Sequence, residues 1–267
     1  MYENMKPAEV RALIRDGKIK SPTPGMCAGY AQANLAILPA DYAADFKEYA
    51  AKNPFPVPIL EIVEGSPATK IMAKDGNIVQ DIPEYFIYRD GKFSERVHDA
   101  SEFWQSGYVG FLIGCSFSFE EALMKAGIEM RHIATGRNVS MYKTNIMTEP
   151  HGPFSGPTVC SMRPMKPEQA KIAHEITAAM PNVHGAPIQI GDPSQIGIAD
   201  IMKPDYGQAV DIYDGEVPVF WPCGVTPQAA IENAKPPIAI THSPGHMFIT
   251  DILNAGLNDF LDEMRAS

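Results

Sequence analysis

The chain has 267 residues, 45% of them hydrophobic and 20% charged, enough to bury a sizeable core in one large domain or two modest ones. Its formal net charge of −10 and pI near 5.2, with no run of Lys or Arg, argue against nucleic acid or an anionic membrane surface as the main partner. No apolar stretch reaches the roughly 18 to 20 residues of a membrane helix. The start, MYENMKPAEV, is acidic rather than basic and then apolar, so a cytoplasmic protein is expected.

Taken in chain order, residues 7–16 predict a helix with Val10, Leu13 and Ile14 on one face. The stretch SPTPGMCAGYAQANLAILP predicts a turn and then a helix that embeds Gln32 and Asn34 among Tyr30, Leu35 and Leu38. Two amides in so apolar a segment need partners, either local backbone or a ligand. Residues 41–52 predict a helix with Tyr42, Phe46 and Tyr49 inward, 59–63 a strand, 85–97 a hairpin around Asp90-Gly91, and 100–104 a helical turn.

Residues 108–113 read as a buried strand and 119–126 as a helix ended by Gly127, so the turn GCSFSF lies at a strand's end and a helix's start. Unpaired N–H groups and the helix dipole favour an anion there. Ser118 is placed to cap that helix, with Glu121 completing a capping box. From Val219 the chain reads VFWPCGVTPQAAIENA, and a shift of 108 (223 minus 115) sets Cys223 on Cys115, Thr226 on Ser118, Ala230 on Ala122 and Ile231 on Leu123. Residues 131–145, RHIATGRNVSMYKTN, predict a short strand and a glycine turn carrying Arg137. At a shift of 106 (247 minus 141), Met141, Tyr142, Thr144 and Asn145 meet Met247, Phe248, Thr250 and Asp251. Two matches in the same order predict an internal duplication, with units of about 108–145 and 217–251.

Between the copies, residues 151–165 predict a loop and a strand, and 167–180 a helix with Ile172 and Ile176 inward. Residues 183–201 predict a strand running into a loop where Asp192 forms a turn, and 211–219 hold a second hairpin turn at Asp214-Gly215. Residues 227–234 predict a helix with Thr226 as cap, and 253–264 a closing amphipathic helix. Strands and helices that alternate, with hairpins interleaved, predict an α/β fold of mixed β-sheets in two interlocked, pseudo-symmetric lobes. Both cysteine turns would line the cleft between them.

The four cysteines, at 27, 115, 160 and 223, lack CxxC spacing and are too sparse for a disulfide framework, so free thiols are expected. Cysteine is a common core residue, but a helix N-terminus lowers a thiol's pKa, which makes Cys115 and Cys223 candidates for acid, base or nucleophile. His242 and His246 stand four apart, yet Pro244-Gly245 between them forbids the helix that would present two metal ligands. No metal and no cofactor are expected.

PTPGMCAGYAQANLAILP, FLIGCSFSFEEAL, VHGAPIQIGDP, PVFWPCGVTPQ and ITHSPGHMFITD together resemble the D-glutamate cyclase family, whose bacterial members carry an inferred hydro-lyase name. The resemblance runs from about residue 7 to 260, which makes the chain one domain of this kind over 1–267. It implies loss of water from glutamate as the α-amine closes onto the side-chain carboxyl, giving 5-oxoproline. For that step the turns with Ser116, Ser118, Gly224 and Thr226 would neutralise the carboxylate and stabilise an oxyanion. Asp251, His242 or His246 would act as base, and Arg137 or Arg163 would hold the second carboxylate, with Asn145 at the position matching Asp251. Cys27 and Cys160 depart from the family pattern and are not candidates. The expected partner is a small acidic amino acid or carboxylate, with no nucleic acid and no membrane, and a homo-oligomer is left open. Two other functions fit the residues: a cofactor-independent racemase using both cysteines, and a non-catalytic accessory protein that binds 5-oxoproline.

Overall fold

The computed structural model describes residues 2–266. Helix α1 (Pro7–Arg15) opens on its proline and buries Val10 and Ile14, as the spacing predicts. The next element departs from expectation: Gln32 and Asn34 lie on a strand, β1 (Tyr30–Pro39), and not on a helix. Residues 31–38 are all buried. A continuous apolar run carries neither helical nor alternating periodicity, and a central strand covered on both faces satisfies it.

β1 is the middle of the larger sheet. On one edge it pairs with β5 (Tyr108–Gly114) from Ala33↔Gly114 to Pro39↔Tyr108. On the other edge two strands share it end to end. β11 (Phe248–Leu253) pairs with its first half as far as Ala33↔Phe248, and β10 (Ala239–His242) with its second half from Ala36↔Thr241. The ladder is therefore split at Asn34 and Leu35. β2 (Ile59–Glu64) flanks β5, and β3 (Tyr85–Arg89) flanks β10 and turns at Asp90-Gly91 into β4 (Lys92–Val97). Both turn residues have positive φ, 50° and 74°, the conformation that an Asp-Gly hairpin takes.

The smaller sheet has the order β6 (Ser140–Met147), β7 (Pro157–Met165), β9 (Val217–Pro222), β8 (Gln189–Ile190). Every pairing in both sheets is antiparallel, which corrects the expectation of mixed sheets. The reason lies in the connections. The passages through α3 (Phe117–Lys125) and α6 (Thr226–Ala234) leave one sheet for the other, while those through α2 (Ala40–Lys52) and α5 (Pro167–Ala178) skip over a strand. No helix thus joins neighbouring parallel strands. Two sheets exchanging strands in this way fit a two-lobed, interlocked arrangement.

One core cluster, with Leu35, Leu112, Phe119, Trp221 and Phe248, lies between the sheets, and a second packs α2 and α6 on the larger sheet through Phe46, Tyr49, Phe154 and Ile231. Each buried side chain of this size contributes about 1.5–3 kcal/mol. Smaller corrections follow the local chemistry. Residues 131–134 form helix α4 (Arg131–Ala134) ahead of β6, Ile172 is exposed, and the Asp214-Gly215 turn has a strand on its C-terminal side only. The closing helix α7 (Leu257–Ala266) starts after a 3-10 turn. No helix among the described residues is long and apolar enough to cross a membrane.

Candidate active site

Cys115 follows β5 of the larger sheet and Cys223 follows β9 of the smaller one, and the two turns meet. Between them lies a small cavity of about 10 Å³ lined by Cys115, Ser116, Phe117, Cys223, Gly224 and Val225, by Asn34 of β1, and by His242, Gly245 and Met247 at the split in the ladder. That is room for roughly one water molecule, so a larger ligand requires the site to widen. Phe117 also lines a pocket of about 400 Å³ on its other side, stacked on His132 with centroids 6.3 Å apart.

The two turns are built alike. Ser118 does not cap α3 by reaching its own helix: its hydroxyl accepts the Gln32 N–H at 3.1 Å. Thr226, the first residue of α6, likewise accepts the Val159 N–H at 3.0 Å. Both helices begin one or two residues earlier than predicted, which turns these hydroxyls outward onto β1 and β7. Further along, Thr144 Oγ1 donates to Thr158 O at 2.7 Å and Thr250 Oγ1 to Ala31 O at 2.8 Å. Gln32 and Val159, and Ala31 and Thr158, are each 127 apart (159 minus 32; 158 minus 31).

Asn34 ties the turns together. Its amide donates to Gly114 O at 2.6 Å, just before Cys115, and lies against Gly224, where a Cβ would overlap it. Only glycine lets β1 approach the second turn so closely. Gln32 is satisfied within its own loop, by Thr23 and Met26.

Arg163 is fully buried and does not reach the cavity as a free cation. Its Nη1 donates to Ser161 Oγ at 2.7 Å and Nη2 to Ser116 Oγ at 3.0 Å, while Nε meets Glu120 Oε1 at 3.0 Å. Glu120 is also 3.2 Å from His132 Nε2. Burial alone would raise the Glu120 pKa, but His132 and Arg163 hold it down to about 2. Sequence reasoning missed Glu120, His132 and Ser161. The available signals were a carboxylate on the apolar side of a helix and two polar residues alternating along an apolar strand.

The thiols differ. Burial raises both pKa values, against the lowering expected of a helix N-terminus. At Cys115 the Phe117 N–H, 3.4 Å from Sγ, and the Arg163 charge oppose the rise, while the charges of Cys223 and Glu120 add to it. At Cys223 the Val225 N–H, the Arg163 charge, the Ser161 hydroxyl and the Gly224 N–H all pull the other way. The first N–H groups of each turn thus point at the sulfur itself.

The structure therefore brings together Cys115, Ser116, Cys223, Gly224 and His242, with Ser118 and Thr226 supporting the turns from behind. It places the others elsewhere. Arg137 is exposed and bonds to Ala209 O at 2.7 Å, Asn145 is exposed on β6, and His246 turns to Pro244 O beside the cavity rather than in it. Asp251 is an anchor for α1: Arg11 grips both its oxygens, at 2.8 and 3.1 Å, and the Lys74 N–H takes the second at 2.8 Å. Asp251→Asn is expected to cost about 2 kcal/mol of stability, because buried Arg11 loses its nearer carboxylate and keeps only the Asp81 carboxylate, 3.8 Å from Nε. The same variant is expected to leave the chemistry of the cavity unchanged, which a urea titration beside an activity assay checks.

His184 and His242 are both buried, and burial lowers each pKa to about 4. The unfolded chain binds these two protons at higher pH than the folded one, so folding is favoured above the unfolded value near 6.5 and loses that support as pH falls towards 4. The expected loss is about 2 kcal/mol per histidine between about pH 6.5 and 5. Urea midpoints that fall over this range check it; a flat profile contradicts it.

Comparison with known proteins adds the following. A family model described as D-glutamate cyclase matches residues 109–251, which contains both cysteine turns. A Clostridium beijerinckii protein named "Putative hydro-lyase" is 55% identical over 254 residues, covering 95% of this chain and 97% of its own. The Bacillus subtilis protein "Putative hydro-lyase YcsI" is 55% identical, over 95% of this chain and 99% of its own. A Bordetella petrii protein, "Putative hydro-lyase Bpet2233", is 52% identical over 92% and 93%.

Proposed function

The chain belongs to the D-glutamate cyclase family, and from that premise we propose that it is a hydro-lyase that closes glutamate, or a near acidic analogue, to 5-oxoproline in the cavity between the two cysteine turns. In this reaction the amine nitrogen bonds to the side-chain carboxyl carbon, a carbon–oxygen bond breaks, and two ammonium protons leave with that oxygen as water. The observation that carries the reading is the convergence of two thiols, an amide and an imidazole on one small cavity. A site with room for little water strengthens each of those interactions.

The roles follow from the unequal surroundings. Cys223, backed by Arg163, Ser161 and two backbone N–H groups, is the sulfur better placed to carry negative charge against the burial that raises its pKa, and as the thiolate, paired with the substrate's ammonium, it takes the first proton from that ammonium. Cys115 gives its proton to the departing oxygen and then takes the second proton from the ring-closed nitrogen, while Cys223 passes the first ammonium proton to the same oxygen, so water leaves and both sulfurs return to their starting states. A racemase would use the two thiols interchangeably, so this inequality favours the one-way reaction over that alternative. Ser116, Gly224, Ser118 and Thr226 shape the turns, and the substrate passes Phe117 to reach them.

We further read the chain as two copies of one unit. What supports this is the recurrence of the same hydrogen bonds at positions offset by 108 and 106 in the turns and last strands, and by 127 in the strands they lean on. Chiral chromatography of purified protein incubated with D-glutamate, L-glutamate and 5-oxoproline tests the activity. Conversion of one glutamate enantiomer is expected; no conversion of any of the three, with tight binding of 5-oxoproline, would leave the accessory role instead.

A further inference from the structure

The split in the larger sheet exposes two backbone positions of β1 that no strand covers, and His242 occupies one of them. β11 pairs up to Ala33 and β10 only from Ala36, so the Leu35 N–H lacks a ladder partner on that edge. The His242 Nδ1 lies 3.1 Å from that N–H and 3.3 Å from the Leu35 carbonyl oxygen. The shorter contact, an N–H aimed at the ring nitrogen, requires a lone pair there, and we take it as the one that sets the tautomer, with the imidazole's one proton on Nε2. The ring is fixed from its backbone end as well, because Gln228 Nε2 and Thr241 Oγ1 both donate to His242 O, at 2.9 and 3.0 Å.

Nε2 is the unusual atom. His242 is 1% exposed, and Nε2 has no hydrogen-bond partner among the described residues. Buried polar groups are nearly always satisfied, and an exception in a cavity wall marks where a ligand atom belongs. His184 shows the contrast: its Nε2 is also unpartnered, yet its ring contacts Phe55 O and does not line the cavity.

We propose that His242 Nε2–H is the oxyanion donor of this site, binding a carboxyl oxygen of the ligand as a neutral hydrogen-bond donor and not removing a proton as a base. The inference rests on the cavity being the reaction site, and it assigns the ligand group held there: a carboxylate that becomes a tetrahedral oxyanion. A neutral donor suits the task. It strengthens its bond as charge grows on the oxygen, and it does not compete with the thiols for the ammonium proton. Burial of the ring, which holds its pKa near 4, keeps it in this form at neutral pH. The alternative role, a base beside the amine, needs a free lone pair facing the ligand, and the only lone pair on this ring faces Leu35.

Nitrogen-15 NMR of the intact protein, with formate and 5-oxoproline as probes, tests this without any substitution. The expected spectrum shows His242 as the neutral Nε2–H tautomer throughout about pH 5.5 to 8, and both probes move the Nε2–H resonance downfield. An Nδ1–H tautomer, a titration of the ring within that range, or a resonance unmoved by both probes would overturn the inference. A response to formate in a protein that turns over neither glutamate enantiomer would remove the cyclase reading and leave the carboxylate donor standing.

Discussion

Cys223→Ala is expected to lower glutamate turnover about 10²- to 10⁴-fold, the range lost with a general acid or base, while the protein stays folded. Cys115→Ala is expected to fall in the same range. The reason is positional: the chain delivers the two thiols from the ends of strands in separate sheets to one cavity, and each is replaced there by a methyl group that can neither give nor take a proton. The pair should also differ in character. Cys223 shares its surroundings with Ser161 and Arg163, so Cys223→Ser, which keeps a hydroxyl but not an acidic thiol, should be nearly as inactive as Cys223→Ala. Turnover of both alanine variants within threefold of the parent would remove the site from consideration.

Arg163→Met is expected to cost about 3–5 kcal/mol, the largest loss of stability from a single change near the site. Arg163 has four polar contacts to Glu120, Ser116 and Ser161, and its guanidinium lies over the rings of Phe119 and Trp221, 5.1 and 5.6 Å from their centroids. Methionine fills part of the space but leaves Glu120 buried with His132 as its remaining partner. Removing the stranded charge as well should restore part of the loss, so Glu120→Gln combined with Arg163→Met is expected to be more stable than Arg163→Met alone. Urea unfolding of the two proteins measures this directly, and equal midpoints for Arg163→Met and the parent would show that the ion pair holds nothing in place.

The cysteine turns were legible because their repeat involves side chains: a cysteine, a hydroxyl and a helix face at fixed separation. The strands behind them were not. Ser118 and Thr226 hold β1 and β7 through backbone N–H groups that any residue provides, so Gln32 and Val159 can be equivalent in space without resembling each other. β1 itself reads as a helix because a run buried on both faces loses the alternation that identifies a strand. Asp251 read as a base because it matches Asn145 in an aligned block, whereas its partner Arg11 lies 240 residues away and only the fold brings them together. The Glu120 and Arg163 pair was hidden in the same way, since each half alone looks like a surface charge.

The small size of the cavity explains why composition said so little about the ligand. An acidic protein with no basic patch offers a carboxylate no surface to collect on, and the groups suited to it are inside, behind Phe117, on the paths of two strands. On the proposed reading, recognition depends on a few aligned dipoles and thiols in a small cavity and not on net charge.

Proton NMR of the protein with D-glutamate in heavy water is the most direct test of the reaction at this site. The expected result is the appearance of 5-oxoproline signals with the Cα proton retained, since ring closure breaks no bond at that carbon. Loss of the Cα proton to deuterium without any lactam would contradict the account and show the two cysteines working as a racemase pair.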